Sequence, residues 1–153
     1  MGEVVLALDV GDARIGVARG ETGSSLAFGR GALLRTRQRD DVDAIVRLAR
    51  DEAAARVVVG LPTRTDGRDS PQTQRVRAFA RALADAGLSV ELEDERFTTR
   101  IAERALARGP LPRGKRREKG RIDEASAVLI LESWLARRGG ADGGVGGATG
   151  GDR

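Results

Sequence analysis

An α/β fold is predicted by three features of this 153-residue chain: strand-length apolar runs alternate with segments of helical period, 40% of residues are hydrophobic against 33% charged, and the length suits one domain. Glu3 to Val10 (EVVLALDV) is a mostly apolar run of strand length. Arg14 to Arg19 (RIGVAR) can pair with it across a tight Gly11-Asp12 connection, and Leu26 to Leu34 reads as a third, weaker strand. Asp40 to Ala54 places Val42, Ile45, Val46, Ala49 and Ala53 at helical spacing, and Arg56 to Gly60 (RVVVG) follows as a short buried strand. After a polar loop, Leu61 to Ser70, a second helix is marked by Ser70 as its cap and Pro71 in its first turn, with Val76, Phe79, Ala80 and Leu83 on one face. Ser89 to Glu95 (SVELEDE) reads as a strand ending in three acids, and Thr98 or Thr99 caps a helix running to Arg108. The prolines and glycines of 109–114 break any helix there. A last helix, Ile122 to Arg138, is apolar on more than one side and belongs in the core, with Gly139 ending it.

Composition removes several chemistries. The chain has no histidine and no cysteine, which excludes the usual catalytic triad, a thiol nucleophile, disulfides and an ordinary structural zinc site. Catalysis is left to carboxylates, hydroxyls, lysine, arginine or a bound metal ion. No apolar run approaches a bilayer span and no basic leader precedes the first strand, so the sequence reads as cytoplasmic with no membrane partner. Residues 139–153 hold eight glycines and almost no apolar side chain, which predicts a folded domain at 1–138 followed by a disordered tail. The net charge of +4 conceals a segment, Arg104 to Arg121, whose eight cations and one anion give a local +7 on an otherwise slightly acidic body. That asymmetry predicts a directed contact with a polyanion through Arg113, Lys115, Arg116, Arg117 and Lys119, against the plainer reading of a solvated basic loop. Four aromatic residues, Phe28, Phe79, Phe97 and Trp134, are too few for broad stacking on single strands.

Three carboxylates interrupt apolar or structured elements near their ends. Asp9 follows an apolar run in a central strand, where an ionised carboxylate needs a partner. That partner is either an arginine such as Arg14, a turn amide, or a metal. Strand alternation puts Glu95 on the face of Glu93 and opposite to Asp94. Asp123 sits in the first turn of the expected last helix, where the helix dipole alone accounts for an acid. Together the three offer hard oxygen ligands from two strands and a helix, a donor set suited to Mg²⁺ or Mn²⁺. The glycine pattern Gly11 to Gly16 also fits close approach of a phosphate, but no Walker A or Rossmann fingerprint follows it.

Four blocks, in order, resemble the RuvX/YqgF proteins of bacteria, within the RNase H-like superfamily that includes RuvC. They are Leu6-Ala7-Leu8-Asp9-Val10-Gly11 with Arg14 to Ala18, Val58-Val59-Gly60-Leu61-Pro62 with Asp66-Gly67, Asp94 to Thr99, and Lys119 with Ile122 to Ala127. The resemblance spans residues 3 to 137. It implies an RNase H-like fold, a five-stranded mixed sheet flanked by helices, with Asp9, Glu95 and Asp123 as catalytic acids around divalent metal. It also sets Arg96, Thr98 and Thr99 beside the site, the loop Gly60 to Gly67 at its border, and Lys119 toward phosphate. The usual last-helix motif has a small residue after the Asp, whereas Glu124 follows Asp123 here, leaving two adjacent acids as candidates to face the site.

The function so implied is a metal-dependent nuclease acting on structured nucleic acid. The family is described both as a processor of the 5′ end of pre-16S rRNA and as a Holliday-junction resolvase, and the oligomeric state stays open between monomer and homodimer. Two other classes compete: a nucleotide-binding, sugar-kinase-like module built on the Gly11–Gly16 turn, and a non-catalytic nucleic-acid-binding protein. Length opposes the first, because that architecture closes two such domains around its ligand.

Overall fold

The computed structural model describes residues 2–62, 68–95 and 116–146. Three strands open the chain, β1 (Val4–Val10), β2 (Arg14–Glu21) and β3 (Ala27–Leu34), followed by helix α1 (Gln38–Asp51), strand β4 (Ala54–Leu61), helix α2 (Pro71–Asp85), strand β5 (Val90–Asp94) and helix α3 (Arg116–Gly146). The strands form one mixed sheet in the order β3-β2-β1-β4-β5. β1 and β2 are an antiparallel hairpin paired from Val4↔Glu21 to Val10↔Ile15, while β4 runs parallel to β1 and β5 parallel to β4. The five-stranded mixed sheet implied by the resemblance is what the chain forms.

Strand β1 is apolar on both sides because both its faces are covered. Leu6, Leu8 and Val10 pack with Ile15, Val57 and Val59 under α1 and α2, where Ile45, Val76, Phe79 and Leu83 complete the layer. Val5 and Ala7 point the other way, with Ala18 and Val58, into Ala127, Ile130, Leu131, Trp134 and Leu135 of α3. Asp9 continues this second set by strand alternation, so it faces α3. The last helix does belong in the core, as its apolar pattern predicts.

Two helix starts are built differently. Ser70 caps α2 as expected, its hydroxyl accepting from the Thr73 amide at 3.1 Å while the Thr73 hydroxyl accepts from the Ser70 amide at 3.2 Å. Buried Thr73 also donates to the Pro62 carbonyl, tying α2 to the end of β4. The start of α1 has no side-chain cap from Arg37. Instead buried Asp41 reaches back to the Thr36 amide at 3.0 Å and hydroxyl at 2.7 Å, and accepts from Arg35 Nε at 2.9 Å. Arg35 donates its remaining reach to the Gly11 carbonyl at 2.7 Å, so the β1–β2 turn is braced on α1 through one arginine.

The last helix departs from its expected bounds at both ends. It starts at Arg116, six residues before Ile122, and continues past Gly139 to Gly146. A glycine costs a helix about 1 kcal/mol relative to alanine, which weakens a helix already formed without ending it. The expected tail is therefore helical over 139–146, and 147–153 lie outside the described residues. The helix expected at 98–108 and the break at 109–114 also lie outside them. No described helix is long and apolar enough to cross a membrane.

Burial alone pushes the Asp41 carboxyl up, but the hydrogen bonds from Thr36 and Arg35 and the charge of Arg35 outweigh it and hold the group below its ordinary 3.8. A depressed folded pKa contributes stability that is present above the unfolded value and lost as pH falls through the folded one. Asp41→Asn is expected to lose about 2 kcal/mol at pH 7 in urea unfolding, the scale of hydrogen bonds to a charged group. The gap from wild type should close as pH falls below about 4. A gap that persists unchanged at pH 3 would show that the loss is not electrostatic.

Candidate active site

Two glycines make room for Asp9. On one side its register partner on β2 is Gly16. A Cβ at Gly16 would fall on the Asp123 carbonyl and stand 2.9 Å from the Glu124 nitrogen, so the backbone of α3 rests directly on the hairpin beside Asp9. On the other side, one residue beyond the Leu8↔Val59 pair, lies Gly60 of β4. A Cβ there would collide with Ile130 and stand 3.1 Å from Glu95 Oε2. The gaps left by two missing side chains thus bring Asp123 and Glu95 to either side of the β1 carboxylate.

The electrostatics report the same gathering. Burial, then the charge of Glu95, then that of Asp123 raise Asp9 from 3.8 to about 7. The Glu95 carboxyl is also raised, by burial first and then by the charge of Asp94. The charges that raise Asp9 are therefore carboxylates, and among the described residues no arginine, Arg14 included, forms an ion pair with it. Among the described residues no three acids stand close enough to enclose an ion outright. The donor chemistry nevertheless fits one: hard oxygens, like charges at close range, and a carboxyl that gives up its proton readily only if a cation replaces it.

The helix-dipole account of Asp123 also fails. With α3 beginning at Arg116, Asp123 lies two turns inside the helix, and the dipole's effect fades within the first turn. The neighbouring acid is accounted for differently. Glu124 Oε2 accepts from the Gly31 amide and lies against Gly29, both on β3, so Asp123 rather than Glu124 turns toward Asp9.

Two other β5 acids share the α3 face and are structural. Glu93, fully buried, accepts from Ser133 Oγ at 2.9 Å and from the Arg137 guanidinium. Glu91 pairs with Arg56 and accepts from Trp134 Nε1 at 3.1 Å. These contacts bind β5 to α3 just before Glu95, which stands one residue beyond the strand, in a 3-10 turn, and still lies on the α3 side beside Gly60. Arg96, Thr98, Thr99, Arg113 and Lys115 lie outside the described residues, and with them Phe97. Arg116, Arg117 and Lys119 stand on the first turns of α3, with Arg116 about 10 Å along the axis from Asp123. Gly16 and Gly60 as partners of Asp9, and Arg35 as a brace, are contributors that sequence reasoning missed. A glycine within each apolar strand was visible in the sequence, but that it stands level with Asp9 depends on the register of the strands.

Sheet order and helix placement define an α/β fold of the RNase H-like kind. A RuvC of Thermus thermophilus solved in complex with a Holliday junction substrate superposes with a TM-score of 0.55 at 15% identity, covering 89% of this chain and 96% of that one. The sequence profile of the RuvX family, described as a Holliday junction resolvase, matches residues 3–137, and the chain belongs to this family. Among curated relatives, a "putative pre-16S rRNA nuclease" of Thermus thermophilus is 49% identical over 86% of this chain and 96% of its own length. The protein named "Ribonuclease YqgF" of Deinococcus radiodurans is 48% identical over 87% and 88%.

Gly16→Ala is expected to lift α3 off the hairpin and cost about 1–3 kcal/mol, the usual range for overpacking, as read by thermal unfolding. Retained stability would mean that α3 does not press on β2 there. Neutralising the cluster should have the opposite effect. Metal-free Asp9→Asn is expected to unfold at higher urea than wild type at pH 8, because the ionised carboxylate it removes is held at a raised pKa. Added Mg²⁺ should stabilise wild type and leave the variant unchanged. Equal stabilisation of both would remove Asp9 from the cation's ligands.

Proposed function

We propose that this chain is a metal-dependent nuclease that processes the 5′ end of pre-16S rRNA in ribosome biogenesis, with Asp9, Glu95 and Asp123 as its catalytic, metal-holding acids. The observation that carries this reading is the raised carboxyl of Asp9, whose neighbouring charges are Glu95 and Asp123. A bound Mg²⁺ or Mn²⁺ supplies an activated water and charge stabilisation at the phosphate, chemistry that a chain without histidine otherwise lacks. The chain's own part is to hold the acids converged through the gaps at Gly16 and Gly60, so that the charge of a bound cation would favour their ionised forms. Arg96, Thr98, Thr99, Arg113, Lys115, Arg116, Arg117 and Lys119 are read as contacts to the nucleic-acid backbone, which position the strand without reading its sequence. The name of the relative at 49% identity supports ribosomal RNA as the substrate, and that of the relative at 48% supports RNA cleavage. The family match, ending at 137, supports 1–138 as the nuclease domain.

The second reading, resolution of four-way DNA junctions, follows the description attached to the family profile. Cleavage of a pre-16S rRNA 5′ segment and of a mobile four-way junction, side by side with wild type and Asp9→Asn, separates the two. Divalent-dependent cutting of the RNA by wild type is expected, with a loss of at least about a hundredfold in the variant. Cutting of the junction alone would transfer the function to DNA. Equal cutting by both proteins would withdraw the nuclease assignment.

A further inference from the structure

A recess of about 310 Å³ opens on the opposite side of the β1–β2 turn from the acids. Its floor is apolar, made by Val10 and Val76, which are buried, with Ala78 at its edge. Its rim is polar: Gln38 is the first residue of α1, Gln72 the second of α2, and Arg75 follows one turn later. The Arg75 side chain is 60% exposed and stands 3.6 Å from Asp12, a pair loose enough to open at little cost. Arg35 closes one wall and is held rigidly by Asp41 and the Gly11 carbonyl, with its guanidinium 5.2 Å from the centre of the Phe79 ring.

This lining does not suit a bare phosphate. Asp41 already balances Arg35, Asp12 sets a carboxylate at the rim, and much of the remaining wall is apolar. It suits a flat group with apolar faces, hydrogen-bonding edges and one attached negative charge. Amides of glutamine and the plane of an arginine are the groups that recognise an unpaired base. Position adds to this. Val10 and Gly11, which line the recess, follow Asp9 directly, so the recess and the acids lie at the same end of β1, on its opposite faces.

We infer that this recess takes one unpaired nucleotide of the substrate strand next to the point of cleavage. The base lies on Val10, Val76 and Ala78, Gln38 and Gln72 meet its edge, and Arg75 turns from Asp12 to its phosphate. The inference rests on the nucleic-acid reading above and adds to it a local requirement for an unstacked nucleotide. A structured substrate meets that requirement only at a bulge, an end or a branch.

Two measurements on the full chain test it. In the first, amide shifts of labelled protein are followed against adenosine and uridine 5′-monophosphates and against ribose 5-phosphate. The nucleotides are expected to move Gly11, Gln38, Gln72 and Val76 and to bind about tenfold tighter than the sugar phosphate, the scale of one stacked base. Ala78→Trp, on the solvent side of α2, should abolish these shifts, and Gln38→Ala with Gln72→Ala should weaken them. Equal binding of ribose 5-phosphate, or shifts mapping elsewhere, overturns the site. In the second, oligonucleotides with a single abasic position are scanned across the cleavage region and bound to Asp9→Asn. One position should weaken binding about tenfold, and Ala78→Trp in the same background should remove that dependence. Free nucleotide binding with no abasic effect overturns the assignment to the substrate strand. Failure of the nuclease reading looks different: wild type cuts nothing while mononucleotides still map to the recess.

Discussion

Repulsion held in place is the constraint on which the rest of this structure depends. Asp9 is partly buried beside two other carboxylates, and the fold must keep them there against their mutual charge. The force that does so is packing on the same face. Ile130, Leu131, Trp134 and Leu135 of α3 are buried against Val5, Ala7, Ala18 and Val58. At roughly 1.5–3 kcal/mol for each large side chain, this face contributes on the order of 6–12 kcal/mol, more than the few that the raised carboxyl takes back. The acids are therefore held by a helix that cannot retreat without losing its core.

Arginine shows by contrast what a structural acid looks like in this chain. Buried Asp41 has Arg35, fully buried Glu93 has Arg137, Glu91 has Arg56, and Glu52 is flanked by Arg19 at 3.0 Å and by Arg30. Glu52 and Glu91 are both held below their ordinary values, Glu52 chiefly by the hydrogen bond from Arg30, and Glu91 by Arg56 and Trp134 against the opposing effect of burial. Asp9 is shifted the other way. The direction of the shift separates acids paired with arginine from one set beside other carboxylates.

Asp9 was legible in the sequence because a charge inside Val4–Val10 contradicts its neighbours, and Glu95 because it follows Glu93 by two, although it stands one residue beyond the strand, which ends at Asp94. The order of elements was legible because strand and helix periods differ. Asp123 was legible as a residue but not for its cause. Locating the helix start at Ile122 made a dipole explanation available, and only the true start at Arg116 removes it. The two glycines beside Asp9 could not be read, because their meaning lies in register: Gly16 and Gly60 are distant in sequence and become neighbours of Asp9 only once β2 and β4 pair with β1. The orientation of Glu124 was hidden likewise, because its partner amide, Gly31, belongs to a strand 93 residues away.

Helix α3 joins the two charge features that the sequence presented separately. Its first turns carry Arg116, Arg117 and Lys119, its eighth residue is Asp123, and its apolar face is fixed to the sheet two turns further on. A rigid rod seated on a core has one free parameter less than a loop: once Ile130 and Leu131 are packed, the height of Asp123 above the sheet and the direction of the cationic end follow. Cations on a flexible segment would meet phosphate anywhere within reach. Cations on the same helix as Asp123 instead stand at a set distance along its axis from that acid, so any polyanion they meet is held in register with the carboxylates beside β1.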